Sequence, residues 1–152
     1  MIRHHRLEHR FVTSIPRQLE PGVLYISIEC ATAIHACCCG CGGEVVTPLA
    51  PTDWQLTFDG ETVSLWPSIG NWNFPCRSHY VIERSEAMQA LPWSDRRIAQ
   101  GRFRDRIAKS RYYEASGNAN PPELNGDGKT AQWDPRAKAV DGIHLKKPLS
   151  GE

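Results

Sequence analysis

Four cysteines crowd into the stretch His35-Ala36-Cys37-Cys38-Cys39-Gly40-Cys41-Gly42-Gly43, and a fifth arrives in Pro75-Cys76-Arg77-Ser78-His79. Soft thiolates with imidazole at the edges are the donors that Zn²⁺ selects, and four of them close a tetrahedral site. Cys37, Cys39 and Cys41 alternate, so on an extended strand they share one face while Cys38 points to the other. Glycines at 40, 42 and 43 let the backbone wrap tightly around an ion. The ligand set is either Cys37, Cys39, Cys41 and Cys76, or a Cys₃His site using His79. Filled by protein on all sides, such a metal is a structural staple; with three protein ligands it keeps a position open for a hydrolytic water. The chain has no His-Glu-x-x-His to favour the open site.

With the cysteines assigned to metal, the remaining polar residues stand on both sides of Cys76: His35, Ser68, Asn71, Ser78 and His79. Ser68 lies in Pro67-Ser68-Ile69-Gly70-Asn71-Trp72, whose proline and glycine read as a turn-rich loop. A serine nucleophile needs a neighbouring general base and backbone N–H donors for the oxyanion. His79 or His35 meets the first requirement, and Asn71 or Asp59 could orient the base. Ser78 is a second candidate nucleophile, although a serine adjacent to His79 in the chain cannot readily bond its ring.

These residues need strands to hold them. At 152 residues, with 40% hydrophobic and 23% charged residues, the chain has one domain's worth of core. A net charge of +1 argues against nucleic acid as a partner, and no apolar run approaches the roughly 20 residues of a membrane span. Met1–Arg10 carries charge without the apolar region of a secretory signal. With six cysteines, that points to the reducing cytoplasm and to metal rather than disulfides. Gly22–Glu29, Glu44–Pro48 and His79–Glu83 read as strands. Trp54–Phe58 and Glu61–Trp66 alternate around Asp59-Gly60, which predicts a hairpin closed by a type I′ turn. From Ser94, an N-cap, Ala99, Phe103 and Ile107 recur at helical spacing among seven basic residues, a solvated face or a docking surface for an acidic partner.

The expected fold is therefore mainly β with one C-terminal helix: a small antiparallel β domain stapled by zinc and followed by a flexible tail. Its divisions are an N-terminal extension (1–10), a zinc-binding β domain (11–93), a basic helix (94–115) and a polar tail (116–152) in which Trp133 is the one anchor.

From about Phe11 to Trp93 the motifs His35-x-Cys37-x-Cys39-Gly40-Cys41-Gly42, Pro67-Ser68-Ile69-Gly70-Asn71-Trp72 and Pro75-Cys76-x-Ser78-His79-Tyr80 together resemble a bacterial family long labelled a domain of unknown function. Its members are often encoded beside bacterial ubiquitin-like proteins and their E1-like and E2-like enzymes, and are proposed peptidases of the ubiquitin-like modifier. The resemblance implies a small zinc-containing serine peptidase that processes or removes a ubiquitin-like protein, in a pathway connected to phage defence. It implies Ser68 as nucleophile, His79 or His35 as base, zinc on Cys37, Cys39, Cys41 and Cys76, and Cys38 as a bystander. The ubiquitin-like protein and its E1-like and E2-like enzymes are the partners it implies. The alternative class is a non-catalytic, zinc-stapled binding module that recruits the modifier or its E2-like partner through the basic helix.

Overall fold

The computed structural model describes residues 1–117 and 143–145. They fall into two compact units that part between Pro92 and Trp93. The first unit is the β domain. It contains β1 (Glu8–Phe11), β2 (Val23–Ser27), β3 (Thr32–Ala36), β4 (Glu44–Pro48), β5 (Gln55–Phe58), β6 (Val63–Gly70), β7 (His79–Glu83) and β8 (Glu86–Gln89). The second holds the helix α1 (Asp95–Ala115), and the backbone of β9 (Ile143–Leu145) returns to the first. The mainly β class expected from the sequence is the one that forms. Most of the 116–152 tail, Trp133 included, lies outside the described residues.

The strands make two sheets, ordered β1-β2-β3-β4 and β8-β7-β6-β5-β9. Neither is purely antiparallel as expected, because β1 runs parallel to β2 and β9 parallel to β5. Leu24, Ile26, Ala33 and Val45 of the first sheet and Leu56, Leu65, Ile69, Tyr80 and Ile82 of the second share one buried cluster. Period-two alternation gives each strand one face for that core. β2 is buried on both faces, since Val23 and Tyr25 meet Ile34, Val12, Ile15 and Leu19 on the far side. The first ten residues, expected as an extension, belong to this unit: Ile2 and Leu7 enter the core, and the N–H groups of Arg3 and His4 donate to the Cys38 carbonyl.

The β5–β6 hairpin forms where the alternation predicts it, with Phe58 opposite Val63, so its loop is the four residues Asp59–Thr62 and not the two-residue turn. The Asp59 carboxylate explains the difference. It accepts hydrogen bonds from the N–H groups of Glu61 and Thr62 and from the Thr62 hydroxyl, so the Thr62 N–H goes to the side chain while the Asp59 N–H still donates to the Thr62 carbonyl at 3.2 Å. The same donors hold its carboxyl down at about 2.

In the helix unit, the Ser94 side chain accepts from the Arg97 N–H, the N-cap expected from the sequence, and Asp95 complements the positive end of the helix. The Arg97 guanidinium lies 4.5 Å from the centre of the Trp93 ring.

One polar contact crosses between the two sheets inside the core. His35, on the core face of β3, and Tyr80, on the core face of β7, are both fully buried, with His35 Nε2 2.8 Å from the Tyr80 hydroxyl. Burial alone holds the imidazole neutral, down at about 4. A hydroxyl lost here leaves a polar ring inside apolar surroundings without its partner. Tyr80→Phe is therefore expected to destabilise the β unit by about 1–3 kcal/mol, measured as a lower urea midpoint at unchanged m-value; an unaltered midpoint would show the bond to be dispensable.

Candidate active site and metal centre

β3 ends at Ala36, so the three alternating thiols are gathered by a turn and not by an extended strand as the spacing suggested. The Cys37 N–H donates to the Gly43 carbonyl at 2.7 Å and the Gly40 N–H to the Cys37 carbonyl at 2.9 Å, which curls residues 37–43 into a knuckle. A second loop, residues 71–78, closes on itself through the Phe74 N–H on the Asn71 carbonyl, the Arg77 N–H on Phe74, and the Asn71 N–H on Ser78. The loops approach closely: a Cβ on Gly43 would lie 2.6 Å from the Phe74 ring, so any other residue there would have to push that ring aside.

Where they meet, the Sγ atoms of Cys37, Cys39, Cys41 and Cys76 lie within 4.8 Å of one another. Cys37 is 3.4 Å from Cys39 and 4.0 Å from Cys76, and Cys41 is 3.6 Å from Cys76. A tetrahedral ion with Zn–S bonds of about 2.3 Å spaces its sulfurs about 3.8 Å apart. The four cysteines are therefore close enough together to hold a metal ion. Proton chemistry agrees. Without a cation, burial and the neighbouring thiols push Cys39 up to about 12. Burial also opposes ionisation of Cys76, but hydrogen bonds from the Ser78 side chain and N–H, then from Cys39 and Cys41, bring it down to about 7. One thiolate is accommodated and further ones are resisted, a repulsion that a divalent cation would remove.

Polar side chains surround these sulfurs. The Ser78 hydroxyl lies 3.2 Å from Cys37 Sγ and 3.5 Å from Cys76 Sγ, and Asn71 Nδ2 donates to Ser78 Oγ at 2.9 Å. Asn71 also reaches Tyr80, joining this cluster to His35. Cys38 stands apart. It is buried in the core, its thiol pushed up to about 12 by burial.

Ser68 is on a strand, not on the loop that Pro67 and Gly70 suggested. It lies in β6, where Leu65 pairs with Ile82 but Ile69 pairs with Tyr80. β6 thus spends four residues on a step that β7 covers in two. The resulting bulge re-aims the side chains it contains, here bringing Ser68 to the first residue of β7. Ser68 Oγ is 2.9 Å from His79 Nε2, and His79 Nδ1 is 2.6 Å from the Leu91 carbonyl oxygen. A carbonyl can only accept, so in the neutral ring Nδ1 carries the proton and Nε2 presents its lone pair to the serine hydroxyl. That is the tautomer a general base needs.

The Trp72 indole packs on the His79 ring, centres 5.0 Å apart and planes inclined by 49°. It can do so because Gly70 has no Cβ: one placed there would run into the Trp72 indole nitrogen. Of the sequence candidates, Ser68 and His79 come together, and so do the four cysteines. His35 is turned to Tyr80 instead, Ser78 to the sulfurs, and Asp59 caps its own hairpin loop. Sequence reasoning missed Leu91 and Trp72; a backbone carbonyl carries no side-chain signal, although the proximity of Trp72 to Gly70 was available.

A family model described as "Bacterial ubiquitination-like system serine protease (BubE)" matches residues 11–90. Neither the curated proteins nor the solved structures give a match.

Two outcomes are expected from this geometry. The purified chain should carry an equimolar amount of zinc by elemental analysis; Cys76→Ser should lose it and destabilise the fold by several kcal/mol, whereas Cys30→Ser, outside the cluster, should retain it. A metal-free wild type of undiminished stability would contradict the assignment. Gly70→Ala should displace Trp72 and lower stability by about 1–3 kcal/mol, read from urea titration together with altered tryptophan emission.

Proposed function

The chain belongs to this family of bacterial ubiquitination-like system serine proteases, and we propose that Ser68 and His79 are its catalytic pair. The observation that carries the assignment is the hydrogen-bonded line from Ser68 Oγ through the His79 ring to the Leu91 carbonyl. As Ser68 Oγ attacks the scissile carbonyl carbon, its proton passes to His79 Nε2. The Leu91 carbonyl keeps hold of Nδ1–H throughout, so the ring neither rotates nor changes tautomer. The indole of Trp72, its ring centre 5.0 Å from that of His79 and its plane inclined by 49°, packs against the imidazolium that forms. His79 then returns the proton to the leaving group as the acyl bond to Ser68 is completed. In the second half, His79 takes a proton from the water that attacks the acyl-serine, then returns it to Ser68 Oγ as the ester bond breaks and the carboxylate product leaves.

Cys37, Cys39, Cys41 and Cys76 would hold the metal, zinc in this reading, and its chemistry is structural because four thiolates leave no position for water. His35 serves the core and not the base. The substrate is a bacterial ubiquitin-like protein, cleaved beyond its C-terminal tail to mature it or to release it from a target. Support for that comes from the family description and from the fact that such a bond must be presented on an extended segment able to reach Ser68.

The test is cleavage of a ubiquitin-like precursor from a bacterial conjugation system, followed by mass spectrometry. Ser68→Ala and His79→Ala should each reduce kcat by about 10³-fold or more, with zinc content and circular dichroism unchanged. Cleavage by Ser68→Ala at the wild-type rate would remove this serine from the mechanism.

A further inference from the structure

Large apolar side chains exposed to solvent are informative when they gather beside a reactive group. Leu65 and Ile69 face the core at either end of the β6 bulge, so Trp66, just after one, and Ser68, just before the other, are both turned outward. Trp66 is 68% exposed. On β7, Tyr80 and Ile82 face the core, which leaves His79 and Val81 on the outer face. On β8, Met88 lies opposite Val81 and is 41% exposed, beside the core-facing Ala87. Leu91, whose carbonyl holds His79, is 81% exposed. Trp66, Val81 and Met88 thus form a row across three strands, next to the row that contains Ser68 and His79.

We infer that this row is the subsite that selects the substrate, taking an apolar side chain within two residues of the scissile bond. The inference rests on the reading of Ser68 as nucleophile. Position names the occupant. Two residues of chain span at most about 7 Å, so the Trp66 backbone lies within that distance of Ser68, and an extended segment with its carbonyl at Ser68 Oγ that runs toward Trp66 brings a neighbouring side chain over the row. The three side chains of the row offer carbon surface and the indole edge, with Gln55, paired with Trp66 on β5, at its border. They therefore reward an aliphatic or aromatic side chain and offer a carboxylate no cation in exchange for its water. Tryptophan is well suited to the task, as a rigid platform that loses little conformational freedom on contact. No core role accounts for its exposed position.

The test uses internally quenched peptides of one length that differ only in leucine or glutamate two residues before, or two residues after, the cleaved bond. A fluorophosphonate probe, which reports serine activation without peptide recognition, is run alongside. Wild type should favour leucine over glutamate in kcat/KM by about tenfold or more on one side. Trp66→Ala should collapse that ratio to within about threefold, and Met88→Lys should move it toward glutamate. Wild type that labels at Ser68 but shows no preference, or a preference that survives Trp66→Ala, overturns the subsite and leaves the nucleophile standing. Failure of the probe to label wild type at Ser68 overturns both. Self-association of wild type in sedimentation that Trp66→Ala abolishes would make the row a contact between copies and likewise overturn it.

Discussion

Four sulfur atoms held within 4.8 Å of one another are the constraint on which the rest of this β unit depends. They come from two loops that share no strand, and Cys41 and Cys76 are 35 residues apart in the chain. Thiolates at such spacing repel, and neutral thiols make only weak hydrogen bonds. A cation would turn the same crowding into four coordinate bonds and tie the β3–β4 knuckle to the segment that leads into β7. His79 is the third residue after Cys76. A tie at the cysteine therefore limits where the imidazole can be, and the first sheet, through Cys37, becomes part of the frame for a side chain on the second.

A chain of hydrogen bonds carries that frame inward. From the sulfurs it runs through Ser78 to Asn71, then to the Tyr80 hydroxyl and to His35 Nε2. Buried polar groups are tolerable when neighbours satisfy them, and here each serves the next. The chain ends at His35 Nδ1, which is buried and has no partner among the described residues. A neutral imidazole bonded at one nitrogen costs less than a charged one in the same place, and burial duly suppresses its protonation. The ring acts as the terminal acceptor or donor for Tyr80, a structural duty inside the core.

The residue types of the thiol cluster were legible because few other arrangements use so many cysteines so closely spaced. Their geometry was not, because alternation along 37, 39 and 41 looks the same whether a strand continues or a glycine-rich turn takes over. The β5–β6 hairpin was legible from Trp54 to Val63, while its loop length depended on one carboxylate outcompeting the ladder. Ser68 was misplaced for a deeper reason. Proline and glycine at 67 and 70 resemble turn residues, and only the register of β7 against β6 shows that they belong to a bulged strand. The choice between His35 and His79 had no local signature either. It depends on which face of which sheet each occupies, a property of the assembled sandwich. Ile2 and Leu7, isolated among charged neighbours, gave too little pattern to predict a core segment.

Alternation at the start of β7 finally separates the two kinds of chemistry. Ser78 and Tyr80 both contact Asn71 and belong to the network that supports the sulfurs. His79, between them, projects to the opposite face and meets Ser68. With successive side chains on opposite sides of a strand, one residue of slippage would exchange these roles, sending the imidazole toward the thiols and a hydroxyl toward Ser68. Register at this point is therefore a chemical requirement as well as a packing one. Cys76 anchors it from before the strand, Tyr80 anchors it from within the core, and the Leu91 carbonyl holds the ring that results. A metal on the four sulfurs would reach Ser68 only through position: both His79 nitrogens are engaged, one by the Ser68 hydroxyl and one by the Leu91 carbonyl, so the imidazole has no lone pair left to offer an ion.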